Sequence, residues 1–199
     1  MASEVDICNM SLWSLNVKPI STLDNPIIQS ARDCRVFYPQ ARDTCLRDFP
    51  WNFANTTREL TPYTVPAVYE GVWEFAYMYP SDCIKMRTLT KMGDKTAQRF
   101  KVARSHTHEK IILANTETAV LEYTLAVVNS DWFDADFVDA VSKLLTSMLA
   151  VPLTGDKGKA KEALQAYYFA IAAAKTQNAQ EDNSEETQED EWILSRRRY

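Results

Sequence analysis

The hydrophobic period of this 199-residue chain changes twice along its length, and no single-class fold accommodates both changes. From about residue 26 to 49, Ile27, Ala31, Cys34, Tyr38, Ala41, Cys45 and Phe49 recur at steps of three or four. That is the spacing of one buried helix face. From 50 to about 128 the period vanishes. Short runs rich in Tyr, Val, Thr and aromatic residues alternate there with turn signals, and 52–59, 72–78, 83–89, 99–103, 110–114 and 120–126 read as strands. Helical spacing returns at about Ser130 with Phe133, Phe137, Val141, Leu144 and Met148. It resumes over 156–175 with Ala160, Leu164, Tyr167, Ile171 and Ala174. A short helix over 3–16, N-capped by Ser3, opens the chain and buries Val5, Cys8, Leu12 and Leu15. Pro39 is expected to kink or split the second helix near Tyr38, and Pro152 to end the third, with Gly155 opening the turn.

This pattern predicts an α+β fold that is mainly α: an antiparallel helical bundle with a β-rich inserted lobe and an extended C-terminal tail. Residues 1–49 and 128–175 supply the bundle, 50–127 the insertion and 176–199 a flexible arm. The arm follows from composition, because QNAQEDNSEETQEDE is too acidic and polar to build a core.

Composition removes several function classes. Only four glycines occur (Gly71, Gly93, Gly155, Gly158), so no GxGxxG dinucleotide fingerprint can be written. A net charge of −5 argues against a surface coated for nucleic acid, leaving room only for a local basic patch. Cys8, Cys34, Cys45 and Cys83 form no CxxC pair, which leaves neither a zinc ribbon nor a thioredoxin-like site. Cys34 and Cys45 on one helix stand roughly 16 Å apart, too far for a disulfide. Reduced, mostly buried thiols are expected. The opening MASEVDICNM carries Glu4 and Asp6 and lacks the regions of a signal peptide, and no uninterrupted apolar run approaches ~18 residues. The expectation is a protein made inside a cell, with no membrane partner.

Candidate chemistry is thin. Gly155-Asp156-Lys157-Gly158-Lys159-Ala160 imitates a phosphate loop, but Leu153 stands where the first glycine belongs and Ala160 replaces the magnesium-binding hydroxyl. It reads as an interhelical turn. His106 and His108 could share a strand face with Glu109 nearby, yet they sit in a polar stretch with no third ligand fixed by spacing, so a surface turn is expected. No Ser lies in a GxSxG elbow. Asp131, Asp134 and Asp136, or Glu70 and Glu74, could form the acid pair of a glycoside hydrolase, but carboxylates at a helix start need no such explanation. No catalytic residue, cofactor or metal ligand is assigned. The second helix carries Arg32, Arg35, Arg42 and Arg47 among Asp33, Asp43 and Asp48, a solvated face or a subunit interface. The C-terminus is the sharpest feature. Trp192, Ile193 and Leu194 on a polar leash, followed by Arg196, Arg197, Arg198 and Tyr199, have the makings of an anchor for a groove on a partner.

Four stretches taken together resemble the head-to-tail adaptor proteins of short-tailed bacteriophages, the tail tubular protein A family. They are VDICNMSLWSLNVKPISTLD, ARDCRVFYPQARDTCLRDFPWNFA, YPSDCIKMRTL, and LEYTLAVVNSDWFDADFVDAVSKLLTSMLAVPLTGDKGKAKEAL. Their order and spacing cover most of residues 5–175, and they are packing motifs. The resemblance implies a structural virion protein at the head-tail junction and no enzyme. Copies would assemble as a homo-oligomeric ring, a dodecamer, bound under the portal protein. The ring would extend the DNA channel without sequence-specific DNA binding and give the tail nozzle protein its docking platform. Trp192, Ile193, Leu194, Arg196, Arg197, Arg198 and Tyr199 would then bind the portal. Arg32, Arg35, Arg42 and Asp43 are the candidates for the heterologous interface that closes a ring. A virion-associated peptidoglycan hydrolase and a host-protein-binding module are the alternative readings.

Overall fold

The computed structural model describes residues 2–24 and 27–182. Helix α1 (Glu4–Ser14) starts at a reciprocal cap: Asp6 N donates to Ser3 Oγ at 3.1 Å, and Ser3 N donates to Asp6 Oδ2 at 2.9 Å. The Ser3 hydroxyl and then the Ser3 N–H hold the Asp6 carboxyl below its ordinary range. Helix α2 (Gln29–Asp48) runs unbroken through Pro39. Proline removes one helical bond, to the carbonyl four residues earlier. Pro39 and Arg35 are both exposed, and no split results. Of the positions assigned to the buried face of α2, Ile27 is the exception: it precedes the helix and is 90% exposed.

Between α2 and the next helix lie β1 (Asn55–Glu59), β2 (Pro62–Tyr63), β3 (Phe75–Met78), β4 (Cys83–Lys91), β5 (Phe100–Arg104), β6 (Lys110–Ala114) and β7 (Ala119–Leu125). They form two antiparallel sheets, ordered β1-β7-β4 and β2-β3-β6-β5. One face of each sheet meets the other. Leu89, Leu121 and Tyr123 of the first pack with Tyr77, Ile112 and Ala114 of the second. The opposite face of the second sheet buries Ala76, Ile111 and Leu113 under Trp73, with Tyr63, Val65 and Tyr69 beside it. Residues 111–114 of β6 are therefore buried on both faces, which explains a continuous apolar run where alternation would mark a half-exposed strand.

Helix α3 (Ala135–Thr154) contains Pro152 and ends two residues later, at Gly155 in the left-handed conformation (φ 70°), whose N–H donates to Val151 O. Glycine accepts that backbone without strain, so Gly155 and not Pro152 terminates the helix. Asp156 Oδ1 then accepts from the N–H groups of Gly158 (2.7 Å) and Lys159 (3.1 Å) and starts helix α4 (Lys157–Asp182). Helix α3 is long and apolar enough to cross a membrane by length and composition, with mean hydropathy 1.3. Its apolar side chains fill the core instead: Phe137, Val141, Leu145, Leu149 and Ala150 are fully buried.

The α+β class stands, but the antiparallel bundle does not. Four helices and two antiparallel sheets make the chain 47% helical and 21% strand, and the helices do not close into a bundle. Helices α1, α2 and α4 each pack on α3, while α1 and α2 touch only lightly. The physical reason is what occupies the remaining side. Trp51, Ala54 and Val127, with Phe53, Ile84 and Leu125 against them, belong to the helical core although they lie between residues 50 and 127. Residues 176–182, expected in the arm, continue α4. Thr176 Oγ1 bonds Ala172 O, and Asn178 Nδ2 reaches Pro50 O and Asn52 Oδ1 at 3.3 Å each.

The two parts are joined at the end of α2. The last helix carbonyls lack helical donors and carry partial negative charge. Arg87 of β4 supplies donors: Nη2 reaches Leu46 O (3.2 Å), Arg47 O (3.3 Å) and Phe49 O (2.9 Å), and Nε bonds Thr124 Oγ1 at 2.8 Å. Lys85 Nζ donates to Arg47 O at 2.9 Å, and Arg47 Nη1 returns a bond to Ile84 O at 3.3 Å. Removing this charged donor takes a bond from each of three part-buried or exposed carbonyls, so Arg87→Ala is expected to lower unfolding free energy by about 1–2 kcal/mol in urea titration. A change below about 0.5 kcal/mol, the scale of an ordinary surface substitution, would show that Arg87 is not the joint.

Candidate interaction surfaces

Among the described residues the fold brings none of the candidate reacting groups together. His106 and His108 lie in the β5–β6 turn, where Ser105 N donates to Glu109 O, His108 N donates to Ser105 O, and His108 adopts φ 64°. No group of three His, Cys, Asp or Glu side chains placed to hold a metal stands among the described residues. Glu70, Glu74, Asp131 and Asp134 are exposed, and Asp136 is half-buried in the first turn of α3. The cysteines are all free: Cys8, Cys34 and Cys45 are buried and Cys83 is half-buried. A hydrogen bond with Cys34, and then burial, push the Cys8 thiol well up, and burial does the same to Cys45. Such thiols are poor nucleophiles.

The residues assigned to an interface on α2 divide. Arg32 and Arg35 are exposed. Arg42 is largely covered, and its Nε and Nη2 both contact Asp43 Oδ1, at 2.9 and 2.8 Å. That pair is engaged within its own helix. Trp192, Ile193, Leu194, Arg196, Arg197, Arg198 and Tyr199 lie outside the described residues.

Sequence reasoning missed a pair of large exposed rings. On α4 the run Tyr167-Tyr168-Phe169 turns through about 100° per residue, so its three rings cannot share one face. Tyr167 takes the core. Its ring is 2% exposed, and its hydroxyl donates to Asp48 Oδ2 at 2.7 Å. Burial raises the phenol's pKa, and the neighbouring Cys45 and Asp48 add to the rise. Tyr168 and Phe169 remain 61% and 76% exposed, with Leu164 and Ala172 beside them. On the other helices, Met10 and Trp13 of α1 and Val36 of α2 also face outward. The signal was present in the sequence: three consecutive large rings on a helix with one packing partner must leave some uncovered.

Two charged features lie on the sheets. From 83 to 110 there are eight cations (Lys85, Arg87, Lys91, Lys95, Arg99, Lys101, Arg104, Lys110) against Asp94 and Glu109, an excess of six in an acidic chain. Part of it is structural. Arg99 lies over the Trp73 ring at 5.7 Å and Lys101 over Tyr69 at 5.4 Å. The second feature is a cleft of about 420 Å³ lined by the carboxylates of Glu59, Glu74 and Glu117 together with apolar side chains.

No family model and no curated protein sequence matches the chain. If Phe169 serves a partner and not its own fold, Phe169→Ala leaves the monomer's unfolding free energy within about 0.5 kcal/mol of wild type. Tyr167→Ala, one residue away and buried, should cost about 3–5 kcal/mol in the same titration. Equal losses for the two would mean that Phe169 is packed.

Proposed function

We propose that this protein is a structural subunit of a head-to-tail adaptor ring in a short-tailed bacteriophage. In this reading it is not an enzyme. Copies bind under the portal protein as a homo-oligomeric ring, a dodecamer in the family it resembles. The ring extends the channel through which DNA passes and gives the tail nozzle protein its platform. The protein would be assembled in the host cytoplasm and reside at the head-tail junction of the virion.

One observation supports an assembly role above others: the aromatic face of α4, with Phe169 at 76% and Tyr168 at 61% exposure. Large exposed rings are costly in a monomer and common at the centre of protein interfaces. Trp13 of α1 and Val36 of α2 are exposed apolar residues on other helices. Two unlike surfaces are what a heterologous, ring-closing contact uses. The sequence resemblance supplies the identity of the ring. The C-terminal segment, with Trp192, Ile193 and Leu194 as an apolar anchor and Arg196, Arg197 and Arg198 for acidic groups on the portal, supplies the attachment.

The test is native mass spectrometry of the full chain with and without portal protein. Ring-sized species in either sample support the reading. Phe169→Glu, which buries a charge in the contact, should abolish them while leaving the monomer folded. A monomer in both samples, or rings indifferent to Phe169→Glu, would remove the α4 face from the account.

A further inference from the structure

Two of the four thiols face each other across a seam between helices. Cys8 of α1 and Cys34 of α2 are both fully buried, belong to the same hydrophobic core and are hydrogen-bonded to one another. The other two have different neighbours. Cys83 Sγ donates to Tyr79 Oη at 3.2 Å, and Cys45 lies against the Tyr167 hydroxyl. Three turns of α2 keep Cys34 and Cys45 apart. Cys8 with Cys34 is the pair that the fold brings into contact.

These two sulfurs need only close from hydrogen-bond to covalent distance to form a disulfide. They are not equivalent. Cys8 donates the hydrogen of the shared bond, which holds its own thiol up and Cys34 down from the ordinary range. Cys34 therefore loses its proton first and is the better nucleophile. The seam they occupy is the loose one in the helical layer, because α1 and α2 each pack on α3 and touch each other only lightly. A bond there makes residues 9–33 a closed loop and ties α1 to α2 directly.

We propose that Cys8 and Cys34 are a disulfide-forming pair, oxidised by hydrogen peroxide within the folded subunit, and that the bond locks α1 onto α2. The Cys34 thiolate attacks one peroxide oxygen. The O–O bond breaks, Cys34 becomes a sulfenic acid, and the departing hydroxide takes the proton Cys34 released, forming water. The Cys8 sulfur then attacks the Cys34 sulfur. The S–S bond forms, the S–O bond breaks, and hydroxide leaves with the Cys8 proton as a second water. Peroxide gains the two electrons that the sulfurs lose. It is small enough for local opening of α1, 11 residues long, to admit it. A reducing compartment keeps the thiols free, so the bond belongs to the protein in oxidising surroundings. The pair lies within one subunit and does not rest on the adaptor reading.

Mass spectrometry reads the bond directly. The folded full-length chain is treated with hydrogen peroxide, remaining thiols are alkylated in denaturant, and tryptic peptides are weighed without reduction. Asp33-Cys34-Arg35 should appear joined to the peptide holding Cys8, in a chain of monomer mass, and dithiothreitol should release it. The oxidised chain should show an unfolded-to-folded ratio in urea lowered about a hundredfold. Cys34→Ser, treated alike, should show no such change. In Cys8→Ser, which removes the second thiol, dimedone should trap the sulfenic acid on Cys34. Cys8 and Cys34 both alkylated after a peroxide dose that converts exposed Met92 to its sulfoxide would overturn the proposal. Cys34 joined to any other cysteine, or to Cys8 of a second chain, would overturn it equally. Should neither variant fold, the linked peptide from the wild-type chain decides by its presence or absence.

Discussion

Arg87 at the carbonyl end of α2 is the interaction on which the rest of the structure depends. A helix end directed at a sheet presents carbonyls without helical donors, and a multivalent donor can serve several of them at once. One guanidinium serves Leu46, Arg47 and Phe49 while its Nε holds Thr124 of the central strand β7. With α2 fixed on β4, the chain leaving it has one course. Phe49, Trp51 and Phe53 turn inward against Phe133 and Phe137, with edge-on ring contacts such as Trp51 to Phe137 at 5.1 Å. Trp51 Nε1 donates back to Cys45 O at 3.0 Å, so even this buried ring is satisfied. Helix α4 closes the same corner through Tyr167 on Asp48 and Asn178 on Pro50.

That corner explains why a helical bundle with a detachable lobe is the wrong description. A bundle would bury the end of α2 against another helix. Here the aromatic cluster and the inner side of β4 and β7 take that place, through Ile84, Leu125 and Val127. Leu125 packs into both the helical core and the core between the sheets. The two hydrophobic regions are continuous there. Outward from this centre, the molecule leaves unlike surfaces uncovered: rings on α4, apolar residues on α1 and α2, and an acidic cleft on the sheets.

Much of the fold was legible because local signals agreed with tertiary use. The strand 110–114 appears with the expected ends, since a β-branched apolar run between polar residues can pair with neighbours on both sides. Ser3 caps α1 as its spacing with Asp6 required. Pro39 and Pro152 misled because a proline costs a helix little on a solvated face or in its last turn. Arg87 carried no legible signal. In sequence it is one more strand cation, and its acceptors lie about forty residues away on another element. The Arg42–Asp43 contact was within reach of the sequence, since the two are neighbours on one helix. The exposure of Tyr168 and Phe169 was recoverable from helical geometry alone, whereas the acidic cleft needed two sheets, β1 on β7 and β2 on β3, to bring residues 59, 74 and 117 together.

The central claim is that helices and sheets form one cooperative unit welded at the end of α2. Urea unfolding followed by two probes tests it most directly: far-ultraviolet circular dichroism at the helix band, and hydrogen exchange of the β6 amides at Ile111, Ile112 and Leu113. The account predicts one transition, with the same midpoint and the same free energy from both probes. Two separated transitions, with β6 opening while the helices stay folded, would contradict it.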